Sequence, residues 1–455
     1  MSTLGQELGW GGTLRLALVQ SALGAVVVLT TSTLNRVMVV ELGLPALVPA
    51  ALVALHYLAQ LMRLHHGHRV DVGGRSTPRI IGGMAVLSTG GVAAAVATAW
   101  MPANMPAGLL LALLAYLLIG IGVGAAGTAT LALLSKSVPS ARRPLAAALV
   151  WIMMIAGFGI TAGVAGHFLR PFSPQRLVSV YALTGALAFA LALLATWGVE
   201  ARTPATRAGD GRGARSVAAA ARTERALGDA LRQLWSDPAA RRFTGFLFMS
   251  MLAFSAQELL LEPFAGLVFA YPPSRSAGLA GMQNAGVLLG MLALVAASLL
   301  RRQSAPRFAQ NWMIVGTIAS AAGVLALALI AARGAPQLLP VAAFALGAAN
   351  GVFAVSALGS MMDLSAAGGP GREGLRMGLW GAAQALAFAA GGLGAGGAVD
   401  LFRSLLGAAG PAYALTFVLV ASLFAGAAWC ALRLTAATRA AAVPPAVPPR
   451  DGALA

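Results

Sequence analysis

Apolar residues in this chain do not alternate with polar ones over short periods; they come in long runs. Stretches of about 20 apolar positions, each long enough to cross a bilayer as a helix, recur along the whole sequence. Twelve such spans are expected, at 14–40, 44–63, 79–101, 107–134, 145–168, 177–198, 243–270, 278–300, 308–332, 338–362, 375–399 and 411–434. The pattern therefore predicts an all-α polytopic membrane protein. The first run is too long for a signal-peptide core and is expected to stay as a span.

One segment interrupts the rhythm. Between Glu200 and Arg242 the chain turns polar, basic and rich in proline and glycine. Its first half reads as a flexible linker. From about Ser216 the spacing of Leu227, Leu231, Leu234 and Trp235 is helical and predicts a helix lying along the membrane surface. The expected organisation is a six-helix bundle over 1–199, a basic linker over 200–242, a second six-helix bundle over 243–434 and a disordered tail over 435–455. That tail ends in the proline-rich AAVPPAVPPRDGALA.

Composition agrees with the pattern. Hydrophobic residues make up 58% and charged residues 10%, with a mean hydropathy of +0.80. A soluble protein could not cover so much apolar sequence. The single Cys430 excludes an intramolecular disulfide.

The net charge of +17 suggests nucleic acid until its placement is considered. With both termini cytoplasmic, all but six of the 31 basic residues fall on the inner side; the six are Arg36, Arg170, Arg176, Arg275, Arg333 and Arg403. That asymmetry is the positive-inside rule, so the basic excess is topology, helped by anionic lipid, and calls for no nucleic-acid partner.

Six spans plus six, around a long cytoplasmic loop, is the layout of the major facilitator superfamily. A local motif supports the resemblance. Between the second and third spans stands GHRVDVGGR, with Gly67, Asp71, Gly74 and Arg75 in the spacing of the superfamily's loop signature. The glycines permit a tight turn, Asp71 can cap a helix and Arg75 can pair with a carboxylate. An ordinary basic turn is the plainer reading. The equivalent loop in the second half, LLRRQSAPRFAQ, lacks the pattern.

Polar residues inside the spans are the candidate chemistry. Asn35 and Arg36 stand near the end of the first span, in LNRVMVVEL. An arginine at the bilayer centre costs about 2.5–3.5 kcal/mol on insertion scales, so it needs a partner or an exit. Snorkelling to the outer surface is one answer, with Glu41 solvated at the interface. The seventh span, the first span's counterpart, carries QELLLEPF, with Gln257, Glu258 and Glu262 at comparable depth. Glu258 and Glu262 share a helix face, and Pro263 is expected to kink the helix beyond them. A bridge from Arg36 to Glu258 or Glu262 would neutralise the charge and act as an outer gate. A protonatable carboxylate coupling transport to protons is the other reading.

His56 and Gln60 lie four apart on the second span. A neutral histidine is a good axial ligand for the magnesium of a chlorophyll-type macrocycle, although packing or hydrogen bonding is the commoner role. In LWGAAQALAFAAGGLGAGG, small residues surround Gln384, allowing close helix approach or leaving room for a flat ligand.

Taken together, LNRVMVVELG, GHRVDVGGRSTPRIIGGM, QELLLEPFAGLVFA, GVFAVSALGSMMDL and GLWGAAQALAFAAGG resemble the PucC and LhaA group, the bacteriochlorophyll-delivery branch of the major facilitator superfamily. The tract HHGHRVDVGG points to a subgroup whose members have been labelled a bacteriochlorophyll synthase chain. The resemblance covers most of the chain outside the central loop and tail. It implies a factor for assembling photosynthetic light-harvesting complexes, delivering bacteriochlorophyll or chaperoning antenna polypeptides. It further implies residence in the bacterial cytoplasmic membrane and its photosynthetic invaginations. Bacteriochlorophyll would be bound as cargo rather than as a covalent cofactor, and antenna polypeptides, the lipid bilayer and a bacteriochlorophyll synthase are the implied partners. The branch-specific polar positions are Asn35, Arg36, Glu41, Gln257, Glu258 and Glu262, with no catalytic role attached to them.

Two further readings compete. A proton-coupled transporter of a small molecule would use Arg36, Glu258 and Glu262 as a protonatable cavity. A prenyltransferase would need clustered carboxylates for magnesium pyrophosphate. Asp71, Asp363 and Asp400 are each isolated, so catalysis and a metal site are not expected.

Overall fold

The computed structural model describes residues 8–60, 76–138, 143–199, 236, 238–300, 306–366 and 373–441. The loop motif of Gly67, Asp71, Gly74 and Arg75, nearly all of the linker and the end of the tail lie outside the described residues. Twelve helices carry what is described: α1 (Trp10–Glu41), α2 (Leu47–Ala59), α3 (Ser76–Trp100), α4 (Met105–Ser137), α5 (Arg143–Phe168), α6 (Pro174–Thr196), α7 (Pro238–Phe269), α8 (Pro273–Leu300), α9 (Pro306–Arg333), α10 (Leu339–Ala366), α11 (Glu373–Leu406) and α12 (Ala409–Ala441). All except α2 are long and apolar enough to span a bilayer, and α2 is apolar over its shorter described length.

The expected spans match these helices, with boundaries that shift for physical reasons. The helix α7 is described from Pro238 onward. Residues 238–242, expected as linker, are thus helical. The alanine-rich end of α12 carries its helix to Ala441, into the segment expected as tail. Asn104 and Ser173 cap α4 and α6, their side-chain oxygens accepting from the Ala107 and Arg176 amides at 3.1 Å.

An even number of spans leaves both ends of the chain at one face, here termed the terminal face; the opposite one is the far face. Helices α1–α6 pack chiefly on one another, as do α7–α12. Small residues set the closest approaches. In α8 and α10, a Cβ at Gly290 would stand 2.1 Å from the Ala348 carbonyl, and one at Gly351 2.0 Å from that of Val287. Only hydrogen fits at those crossings. The outward surfaces are apolar, with Ile160, Leu187, Leu194 and Val341 all exposed. That is the surface a bilayer requires.

Three contacts join the halves: α2 with α11, α5 with α8, and the far-face part of α1 with α7 and α8.

Candidate functional site

The candidate site is the seam where α1 meets α7. Two stretches of α1, Leu29–Leu34 and Val37–Glu41, wind as π-helix. Widened turns of this kind often mark functional positions. The sequence here, LTTSTL, offers the backbone competing partners. Thr30 and Thr31 donate back to the Val26 and Val27 carbonyls at 2.9 and 3.2 Å. Two buried tyrosines then reach the same turn from inside the first bundle. Tyr116 of α4 donates to the Thr30 carbonyl at 3.1 Å, and Tyr181 of α6 donates to that of Leu29.

From this turn the polar side chains point across to the second bundle. The Ser32 hydroxyl donates to Oε1 of Glu262. Asn35 Nδ2 donates to the Leu259 carbonyl at 2.6 Å. Arg36 is only 2% exposed, so it does not snorkel. Its Nη1 pairs with Glu41 Oε1 at 2.5 Å, and its Nη2 donates to the Tyr271 carbonyl at 2.5 Å.

The expected bridge from Arg36 to Glu258 or Glu262 is therefore not the one formed. Glu41, expected to be merely solvated, is the partner, because the π-turn at Val37–Glu41 stacks residues five apart. Tyr271 is delivered by the turn after α7, where Ala270 adopts φ 53°. Gly266 lets α7 come close enough: a Cβ there would stand 2.6 Å from Val40 and 3.3 Å from Arg36 Nε.

Glu262 is 2% exposed, whereas Glu258, one turn earlier, is half-buried and outside this set of contacts. Gln257 extends the polar layer, its Oε1 accepting from Gln283 of α8 at 3.3 Å. Three buried atoms here, Arg36 Nε, Gln257 Nε2 and Glu262 Oε2, have no hydrogen-bond partner among the described residues. Unsatisfied buried polar groups are rare, and three around one seam leave donors and an acceptor for a polar group or a proton.

The remaining candidates lie elsewhere. His56 is buried on α2, with its Nε2 2.8 Å from Gln60 Nε2. Its neighbour Tyr57 packs against Phe388 of α11, ring centroids 4.9 Å apart. Ligation of magnesium through His56 Nε2 would have to displace Gln60. Gln384 is half-buried on α11 and makes a 3.6 Å contact with Met251 Sδ. Neither joins the α1–α7 seam. Among the described residues, no group of three His, Cys, Asp or Glu could hold a metal ion.

One residue that looks isolated in the sequence is not isolated in the fold. Asp400, near the far end of α11, accepts from the Ala46 amide at 2.9 Å and the Leu47 amide at 2.8 Å. It thus caps α2 from the opposite bundle. With Asn35, Ser32 and Arg36, it ties the halves together on the far face.

A family profile described as "PUCC protein" matches residues 33–439. The "Bacteriochlorophyll synthase 44.5 kDa chain" of Rhodobacter capsulatus is 47% identical over 438 residues, covering 96% of this chain and 98% of that protein. "Protein PucC" of Rhodovulum sulfidophilum is 28% identical, covering 90% of each chain. Among solved structures, a point mutant of the nucleoside transporter NupG superposes with a TM-score of 0.68 at 15% identity, over 93% of this chain and 99% of that one. A peptide transporter, POT in complex with sulfate, gives 0.69 at 14% identity, over 96% and 97%. These likenesses establish the transporter fold of two six-helix bundles.

Proposed function

We propose, from the premise that the chain belongs to the PUCC protein family, that it is a membrane factor for assembling photosynthetic light-harvesting complexes. It delivers bacteriochlorophyll or chaperones antenna polypeptides as they insert. The observation that carries this reading is family membership across nearly the whole chain, including the strings that meet at the α1–α7 seam. The distribution of basic residues supports a cytoplasmic terminal face, in the cytoplasmic membrane and its photosynthetic invaginations.

The chain acts without catalysing a covalent step. Its buried polar groups at the seam join helices to helices, and its described carboxylates are dispersed. The synthase name of the 47% identical relative fits a companion of the esterifying enzyme better than the enzyme itself. The test is near-infrared absorption of membranes from a strain lacking the gene, compared with its parent. Loss of antenna bands while pigment synthesis continues supports delivery or assembly. Unchanged bands, in a strain without a second copy of this family, would overturn it.

A proton-coupled transporter is the second reading. Glu262 favours it, because a buried carboxylate with one oxygen free can take up and release a proton. Substrate-stimulated proton flux in vesicles carrying the purified chain, abolished by Glu262→Gln, would support that reading.

A further inference from the structure

Away from the seam, helices α5 and α6 each pack along α1 but touch one another at few points. Between them lies a groove of about 900 Å³, floored by Ser21, Ala22 and Ala25 of α1. It opens sideways, towards lipid, on the first bundle. Its walls are apolar and exposed, with Ile160 and Val164 from α5 and Leu183 and Leu187 from α6. At the terminal-face end Arg15 draws α6 back to α1, donating to the Leu194 carbonyl at 3.0 Å.

The far-face end is different in charge. His167, Arg170 and Arg176 all line it, and among the described residues no carboxylate does. All three side chains are exposed. Arg176 is held in place through its backbone amide, which donates to Ser173 Oγ at 3.1 Å, and through Nη1, which donates to the Arg170 carbonyl. The remaining N–H groups of both guanidiniums are available at the mouth. Guanidinium forks match phosphate oxygens, whichever leaflet supplies them.

We infer that this groove is a binding site for an anionic phospholipid of the far-face leaflet. Its phosphate lies between Arg170 and Arg176 and its acyl chains lie along α1 between α5 and α6. Charge decides the choice of occupant: a cluster of cationic groups capping an apolar trough suits an amphiphile with a phosphate head. A neutral ester such as a pigment would leave those arginines without a counter-charge. The volume is within the range of small-molecule sites.

The test uses the full chain purified after exposure to mixed vesicles of phosphatidylglycerol and phosphatidylcholine, then washed in delipidating detergent. Native mass spectrometry reads the retained lipid. Phosphatidylglycerol is expected to remain and phosphatidylcholine to be lost. Arg170→Gln and Arg176→Gln should each weaken retention about tenfold, the loss of a charge-assisted contact. Thr184→Trp fills the groove without touching either arginine and should abolish retention even if an arginine variant folds poorly. Arg333→Gln, at the far-face end of α9, should change nothing. Equal retention of both lipids, retention unaffected by Thr184→Trp, or a pigment held in the groove in place of phospholipid would each overturn the assignment.

Discussion

Arg36 and Glu41 lie five residues apart on one helix and form an ion pair at 2.5 Å. On an α-helix, positions five apart point about 140° away from each other. The π-turn narrows that angle, and α1 thereby neutralises its own buried arginine. Contact with the second bundle is left to Arg36 Nη2, Asn35 and Ser32.

Breaking this pair should be costly in one direction. Glu41→Ala leaves the Arg36 guanidinium, only 2% exposed, without its counter-charge, and leaving a buried charge unpaired costs about 3–5 kcal/mol. Arg36→Ala leaves Glu41, which at 35% exposure can be hydrated, so it should cost less. In thermal melts of the purified chain, Arg36→Ala with Glu41→Ala should be clearly non-additive, whereas Arg36→Ala with Glu258→Ala should be additive. Additivity in the first cycle would sink the intrahelical pair.

Asp400 should act as a clasp between bundles. Losing a helix cap costs about 0.5–2 kcal/mol, and here the capped helix belongs to the other half. Asp400→Ala is expected to widen the distance distribution between spin labels at Leu44 and Leu405, with Cys430 replaced beforehand. An unchanged distribution would mean that the far face is held by other contacts.

Ala270 offers a gain in stability. A left-handed backbone costs a residue with a Cβ about 1–2 kcal/mol, and glycine avoids that cost. Ala270→Gly should raise the melting temperature by a few degrees while leaving the Tyr271 carbonyl on Arg36. A lower melting temperature would show that chain entropy outweighs the strain.

Glycines of the helix crossings divide cleanly. Gly351→Ala would drive a methyl into the Val287 carbonyl, and the chain should lose stability or fail to accumulate in membranes. Gly394, where a Cβ would meet nothing within 4 Å, should accept alanine with little change or a gain of about 0.4–1 kcal/mol. Equal tolerance at both sites, read from membrane yield and melting, would contradict the close α8–α10 crossing.

Long apolar runs are enough to locate the spans, because hydrocarbon thickness fixes how many residues a helix needs. The seam is legible at the level of helices, since α1, with Asn35 and Arg36, does meet α7, with Glu262. The partners are not. Glu41 looks out of reach on α-helical spacing, and nothing in VMVVE announces a π-turn. Asp400 looks isolated because it binds main-chain amides 353 and 354 residues away, and an amide leaves no letter in a sequence. Between Glu258 and Glu262 the four-residue spacing gives no preference; Ser32 on the facing helix makes it.

Three of the ties across the far face share a property. Asn35, Arg36 and Asp400 each grip backbone on the opposite bundle, at Leu259, Tyr271, Ala46 and Leu47. Closure of that face is thus encoded in one side of each contact. Drift over generations can rewrite the gripped positions freely, within their packing, while the gripping ones are held fast. A saturation library scored for membrane accumulation should therefore be asymmetric, intolerant at Asn35, Arg36 and Asp400 and permissive at the exposed Leu47.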